Sequence, residues 1–338
     1  MKMPSTDLND RSGTSGIGLC TVVYLALLGA TVYDCAPDTE RERAGFQDAL
    51  SRIKSHTFKK YAPGQVYFHE LDLVSVKTAK ASAESLKSKL ARLDILVANA
   101  ATVSSSGTLS PDGFDKTFAV NCLGHFVFVN ALVLTVKNSA NAHGSARITI
   151  TASNGYKALS KLDYDAFTTP IETKGSALSL MSKSLLRYIN SKLGVLYFAM
   201  ELDRRMREEG IQNVLVNAVH PGQAGKTGLG NWDHSFISPS GAEIFKRFVF
   251  LGFLISHSTE DAAKTQTFVS AAKRVGEGDI HGVLWVPTYS LWPTPWSWMA
   301  YTGSVSERLK PHGADREEWM RYWEYCEAAM RKAESVNP

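Results

Sequence analysis

The chain is 338 residues long, 44% hydrophobic and 21% charged, which is enough to bury a sizeable α/β core. Its net charge of +4 is spread without a dense basic block, so neither nucleic acid nor an anionic membrane is implied as a partner. Four cysteines, Cys20, Cys35, Cys122 and Cys326, lie far apart without C-x-x-C spacing, which argues against a zinc site or a disulfide framework and for a reducing, cytoplasmic setting.

Residues 1–11 are polar with no apolar h-region, so no secretory leader is expected. Residues 11–18 read Arg-Ser-Gly-Thr-Ser-Gly-Ile-Gly and run into the apolar helix-length stretch Leu19–Leu28, ended by Gly29. A glycine turn before a helix lets backbone N–H groups approach a phosphate at the positive helix end, although a plain turn and cap would look the same. Ala30–Tyr33 reads as a short strand, 38–55 as a charged helix, Gln65–Leu71 as a strand ending in Asp72-Leu73, and Val76–Ala91 as a helix. Leu93–Val97 is a continuous apolar run of the kind buried on both faces of a parallel sheet, and it stops at Ala98-Asn99-Ala100-Ala101.

A long helix from Gly113 to Lys137 contains Asn121, and the next strand, Arg147–Thr151, stops at Ala152-Ser153. After an irregular polar stretch, residues 154–175, comes a helix that carries Tyr188 and Lys192 and runs to Glu208. Val214–Ala218 is a strand ending in His220-Pro221-Gly222. The apolar run 248–255 is too short to span a bilayer, so no transmembrane segment is expected. Residues 286–313, with several prolines and tryptophans, read as an extended surface segment. In the last helix, Asp315–Ala333, the residues Trp319, Tyr322, Trp323 and Cys326 recur at helical spacing, as core packing or a subunit contact would require.

This alternation describes an α/β chain, a Rossmann-type doubly wound parallel sheet with helices on both faces. Ligands of such sheets collect at the carboxyl ends of the strands, where Asn99, Ser153 and Pro221-Gly222 sit. Tyr188 and Lys192, four apart, share one helix face. An unperturbed phenol titrates near ~10, and a neighbouring ammonium favours the phenolate. The pair can therefore serve as a general acid or base beside a carbonyl or alcohol. The nine histidines show no metal-ligand spacing, and no metal is expected.

Seven pieces in order carry a resemblance: Gly13-Thr14-Ser15-Gly16-Ile17-Gly18, Asp72-Leu73, Ala98-Asn99-Ala100, Val120-Asn121-Cys122-Leu123-Gly124-His125-Phe126, Ser153, Tyr188-x-x-x-Lys192 and His220-Pro221-Gly222. The chain resembles the short-chain dehydrogenase/reductase family over about residues 12–330, and more narrowly its retinol-dehydrogenase-like branch, abundant in fungal metabolism. The resemblance implies Tyr188 as proton donor or acceptor on the substrate oxygen and Ser153 as its hydrogen-bond partner. Lys192 would lower the tyrosine pKa and bind the nicotinamide ribose, and Asn121 would hold a proton-relay water.

It further implies a dinucleotide, NADP(H) favoured with NAD(H) possible. Gly13, Ser15, Gly16, Ile17 and Gly18 would cradle its pyrophosphate, and Asp72 would meet the adenine. Asn99, Tyr188, Lys192, Pro221 and Gly222 would line the way to the nicotinamide. The implied reaction interconverts a ketone and a secondary alcohol on a bulky apolar small molecule, with a secondary-metabolite role, and the assembly is compatible with a homodimer. The implied organisation is an atypical N-terminus at 1–11, one domain at 12–285 with a substrate lid near 226–255, and a C-terminal extension with its helix at 286–338.

Several positions depart from the family pattern. The family places an apolar strand before the glycine turn, and here Met3–Asp10 is polar with a proline, so that first strand is expected to be missing or atypical. The Thr-Gly that opens the turn is Arg11-Ser12. The basic residue that reads a 2′-phosphate is replaced near Ala36-Pro37, with Asp34 the nearest acid for a ribose. Lys226 stands where a threonine is usual. Three readings stay open: an ordinary reductase with an atypical N-terminus, a fold reused for a redox-neutral isomerisation, cyclisation or elimination, and a non-catalytic binding member.

Overall fold

The computed structural model describes residues 16–56, 62–173, 176–222, 258–290 and 300–336. Helix α1 (Gly16–Leu27) is apolar nearly all round, as suits a helix packed on several sides. It is followed by β1 (Val32–Ala36), α2 (Glu40–Ser55), β2 (Val66–Glu70), α3 (Val76–Lys87) and β3 (Ile95–Ala98). Thr39 caps α2 by accepting from the Glu42 N–H, and Ser75 caps α3 by accepting from the Thr78 N–H. The first strand starts at Val32, not Ala30, because Gly29 (φ +93) and Ala30 make the turn out of α1.

The helix expected from Gly113 to Lys137 is one continuous rod with a defect: α4 (Lys116–Phe118), a π-helical turn at Ala119–Gly124, then α5 (His125–His143). A π-turn inserts a residue and turns nearby side chains off the regular helical face, a device common at functional sites. Asn121 lies inside it. By length and composition the rod 116–143 could cross a bilayer, but 72% of its most apolar stretch is buried inside this domain, as in a core helix. Next come β4 (Ala146–Thr151), short 3-10 turns at Asn154–Ala158 and Asp165–Phe167, α6 (Ala177–Glu208), β5 (Val214–Val219), α7 (Thr259–Ala271), α8 (Lys273–Glu277), β6 (Leu284–Ser290), β7 (Ala300–Glu307) and α9 (Arg316–Val336).

The strands form two sheets. In one, β1 pairs with β2 in parallel; in the other the order is β3-β4-β5-β6-β7, parallel except for the antiparallel β6–β7 pair. The core strands β4 and β5 are almost wholly buried, as a helix-covered parallel sheet requires. Among the described residues β1 and β3 each have a strand neighbour on one side only, and a cavity of about 620 Å³ lies between them. The stretch before the glycine turn, where the first strand is expected to be missing or atypical, lies outside the described residues.

Within the stretch read as an extended surface segment, residues 286–290 continue β6 and 300–307 form β7, while 291–299 lie outside the described residues. The boundary placed at 285/286 thus falls inside a strand that buries Leu284 and Trp285. The tryptophan-rich stripe of α9 is core packing: Trp323 stacks edge-on to Phe126 of α5 and tilted to Phe198 of α6.

Candidate active site

Hydrogen bonds draw Asn121 and the end of β4 to the part of α6 that carries Tyr188 and Lys192. Lys192 is 2% exposed, and its Nζ donates to the Thr151 carbonyl at the end of β4 at 2.7 Å. Burial pushes this ammonium down to about 8. Tyr188 stands one turn earlier, with Lys192 Nζ 5.7 Å from its ring centre. Burial pushes the phenol upward, against the lowering expected from Lys192. The phenol is thus held neutral, in its proton-donating form, and its hydroxyl has no protein hydrogen-bond partner among the described residues.

Asn121 is fully buried in the π-turn and serves as a bracket. Its Oδ1 accepts from the Thr102 N–H at 2.7 Å, and its Nδ2 donates to the Thr102 carbonyl at 3.0 Å and to Ser191 Oγ at 2.9 Å. Ser191 Oγ in turn donates to the Tyr188 carbonyl at 2.7 Å. The loop after β3, the π-turn and the tyrosine-bearing turn of α6 are thereby one connected unit. Cys122 extends it, its thiol lying 3.2 Å from the Ser191 carbonyl.

Ser153 sits one residue beyond Ala152 at the end of β4 and caps the 3-10 turn, its Oγ accepting from the Gly155 N–H at 3.1 Å. Gly155 brings that turn close to α6: a Cβ added there would lie 3.3 Å from Ser153 Oγ and 3.5 Å from the side chain of Ile189, the neighbour of Tyr188. His220 is kept neutral, pushed down to about 4 mainly by burial and then by Lys157, which suits packing at the end of β5 and not base chemistry. His125 is likewise pushed down to about 4 by burial, and its Nε2 donates to the Ala100 carbonyl at 2.8 Å.

Of the predicted nucleotide cradle, Gly13 and Ser15 lie outside the described residues, as do Lys226, Thr227 and the whole lid near 226–255. Gly16 opens α1 with φ +55, a left-handed conformation that favours glycine, and Ile17 and Gly18 form its first turn. Gly18 and Asn99 line the same cavity. Asp72 Oδ1 accepts from the Val74 N–H at 2.9 Å, which holds the carboxylate in the turn after β2. Pro221 is buried, and Gly222 adopts φ +92 just past β5. Asp34, the acid nearest in sequence to a ribose-reading position, lies mid-strand in β1 and is 1% exposed, so it does not stand at the strand end. Among the described residues no cluster of His, Cys, Asp or Glu could hold a metal ion.

Sequence reading missed Thr151, Ser191 and Gln266. Thr151 Oγ1 donates to Gln266 Oε1 at 2.5 Å, and Gln266 Nε2 donates to Thr21 Oγ1 of α1 at 3.0 Å, so α7 ties the glycine helix to the strand end that holds Lys192. No spacing signals a main-chain carbonyl acceptor or a bridge 115 residues away.

Comparison with known proteins bears on this geometry. A family profile described as short chain dehydrogenase matches residues 12–162, beginning at the glycine turn. Human retinol dehydrogenase 13 is 30% identical over 270 residues, which is 78% of this chain and 71% of that protein. The chain belongs to the short-chain dehydrogenase family. Within this oxidoreductase family it is retinol-dehydrogenase-like. The WW domain-containing oxidoreductase of Gallus gallus is 35% identical over 215 residues, 62% of this chain, and this short-chain dehydrogenase spans less than half, 46%, of that relative. The solved Pseudomonas aeruginosa RhlG/NADP active-site complex shares the fold, with a TM-score of 0.55 and 22% identity over 80% of this chain and 90% of that one.

Proposed function

We propose that this chain is an NADP(H)-dependent oxidoreductase that interconverts a ketone and a secondary alcohol on a bulky apolar small molecule of secondary metabolism. The observation that carries the reading is the placing of the neutral Tyr188 phenol one turn from a buried Lys192 ammonium on α6, held there by Asn121 and Ser191. A neutral phenol is poised to give its proton to a carbonyl oxygen as that oxygen gains negative charge, and a fixed ammonium one turn away stabilises the phenolate that results. Ser153 Oγ, already accepting from Gly155, keeps its own hydrogen for the same oxygen.

A nicotinamide dinucleotide fits the residues present. Gly18 in the first turn of α1 and Asn99 after β3 line one cavity, and Pro221-Gly222 follow directly on β5, which supports a dinucleotide laid along the strand ends. When bound, the cofactor supplies the hydride, and the protein supplies orientation and the proton. The preference for NADP(H) is supported by Arg41 and Arg43 in the first turn of α2, directly after β1, of which Arg43 reaches Asp38 at 2.6 Å and 2.9 Å.

The test is turnover of apolar cyclic and long-chain ketones with NADPH by the purified full chain and by Tyr188→Phe. Tyr188→Phe should lose about 10²–10⁴-fold in kcat. Equal turnover in both would remove Tyr188 from the mechanism.

A further inference from the structure

The segment between β7 and α9 is bound to the turn that follows Ser153. That 3-10 turn, Asn154–Ala158, is held from within by the Gly155 N–H on Ser153 Oγ and by the Tyr156 N–H, which donates to the Ser153 carbonyl at 3.2 Å. Bonds inside a short 3-10 turn set its shape but not its seat on the molecule. The seat comes from Tyr156, whose side chain is fully buried. Its hydroxyl accepts from the Lys310 N–H at 3.2 Å, and its carbonyl accepts from His312 Nε2, also at 3.2 Å. A carbonyl acceptor places an imidazole proton on Nε2. The two rings lie 5.6 Å apart, tilted.

His312 is fixed from its other side as well. Its carbonyl accepts from the hydroxyl of Tyr197, a fully buried residue of α6, at 2.7 Å, and the Gly313 carbonyl accepts from Trp319 Nε1 of α9 at 2.9 Å. A Cβ on Gly313 would lie 2.8 Å from the Tyr156 ring, so the connector passes this close because residue 313 is glycine. Lys157, in the same turn, pairs with Glu307 at the end of β7. The turn after Ser153 is therefore pinned to a frame of α6, β7 and α9, through bonds that reach 154 and 156 residues along the chain. A misplacement of 1 Å in a group that meets the reacting atoms can cost about 10²-fold in rate.

We propose that His312 and Tyr156 are positioning residues for the reduction: through the 3-10 turn they hold Ser153 Oγ where it meets the substrate oxygen. The inference rests on the reading of Ser153 as the hydrogen-bond partner of that oxygen, and it adds the β7–α9 connector to the parts of the chain that set catalysis. Both residues act through the turn, without contact to the substrate.

The experiment places His312→Ala, His312→Gln and Tyr156→Phe in the full-length chain and again in the same chain with Ser153→Ala. Turnover with NADPH is measured on the most rapidly reduced ketone of an apolar cyclic and long-chain series, and amide hydrogen exchange is followed over residues 153–160. Ser153→Ala alone should cost about 10²-fold in kcat. His312→Ala and Tyr156→Phe should each cost about tenfold in kcat with KM for NADPH within about twofold, and less than about twofold in kcat once Ser153 is alanine. A role in general stability would instead lower kcat equally in both backgrounds. Exchange of the Gly155 and Leu159 amides should quicken about tenfold in His312→Ala while α6 keeps its protection. His312→Gln, which retains a side-chain N–H donor, should bring exchange and kcat back to within about threefold of the wild type. Tyr156→Phe removes a single oxygen and carries the test if His312→Ala does not fold. Equal losses of kcat in both backgrounds, or unchanged exchange over 153–160, would overturn the proposal. A wild type without turnover would sink the reductase reading instead, and the exchange rates would then decide the clamp by themselves.

Discussion

At the scale of single residues, two buried ionisable groups set the behaviour of the molecule with pH. Lys192 is pushed down to about 8, so the ammonium that stabilises a Tyr188 phenolate is lost as pH rises through that value. Turnover should fall above about pH 8, and Lys192→Arg, which cannot lose its charge, should retain a flat profile there at reduced kcat. A pH–rate series on the two proteins checks this. Asp34 is pushed up to about 7 by burial and then by Glu42. Its folded pKa exceeds the unfolded one, so the stability associated with its proton is complete below about pH 4 and lost as pH rises through 7. Asp34→Leu should therefore gain on the wild type between pH 4 and 7, by at most about 1.4 kcal/mol per pH unit in denaturant unfolding. His125 and His220, pushed down to about 4, act in the opposite direction over the same window, and the difference between the two proteins cancels them. Tyr188, Lys192, Ser153 and Asn121 could be named as candidates because their order and spacing follow a pattern. The burial of Asp34 without a hydrogen-bond partner among the described residues was not readable, since tertiary packing sets it.

At the scale of elements, helices were placed to within a few residues wherever apolar periodicity and caps agreed, as at Thr39 and Ser75. The π-turn at Ala119–Gly124 was invisible, because its residues read as ordinary helix formers and the defect is stabilised by tertiary bonds from Asn121 to Thr102 and Ser191. The β6–β7 pair was misread because Pro287 and the nearby tryptophans resemble surface loop chemistry, whereas the pair forms the antiparallel rim of the sheet. Close approach decides two element contacts. A Cβ on Gly194 would come within 2.8 Å of the Tyr322 ring, so Gly194→Ala should push α9 off α6 and cost about 1–3 kcal/mol, seen as a lower unfolding midpoint. Gln266→Leu should break the bridge from Thr21 to Thr151, costing about 1–3 kcal/mol, and lower kcat by loosening the carbonyl that holds Lys192. Stability and kcat measured on the same preparation check both effects.

At the scale of the whole molecule, fold class and family were readable from motif order, whereas the expected loss of the first strand falls on a stretch outside the described residues. The position of the cavity was not readable, since it depends on where tertiary packing sets β1 relative to β3. The proposed proton-transfer half of the site is supported by β4, β5, α5 and α6 and is well buried; the proposed nucleotide half rests on α1, which packs on α2 and α7. The central claim is that these two halves still act on one dinucleotide. The most direct test is titration of the purified 338-residue chain with NADPH and with NADH, following energy transfer from its tryptophans to the nicotinamide. The account predicts saturable binding of both, tighter for NADPH. A folded protein that binds neither would contradict it and leave Tyr188 to a reaction without hydride.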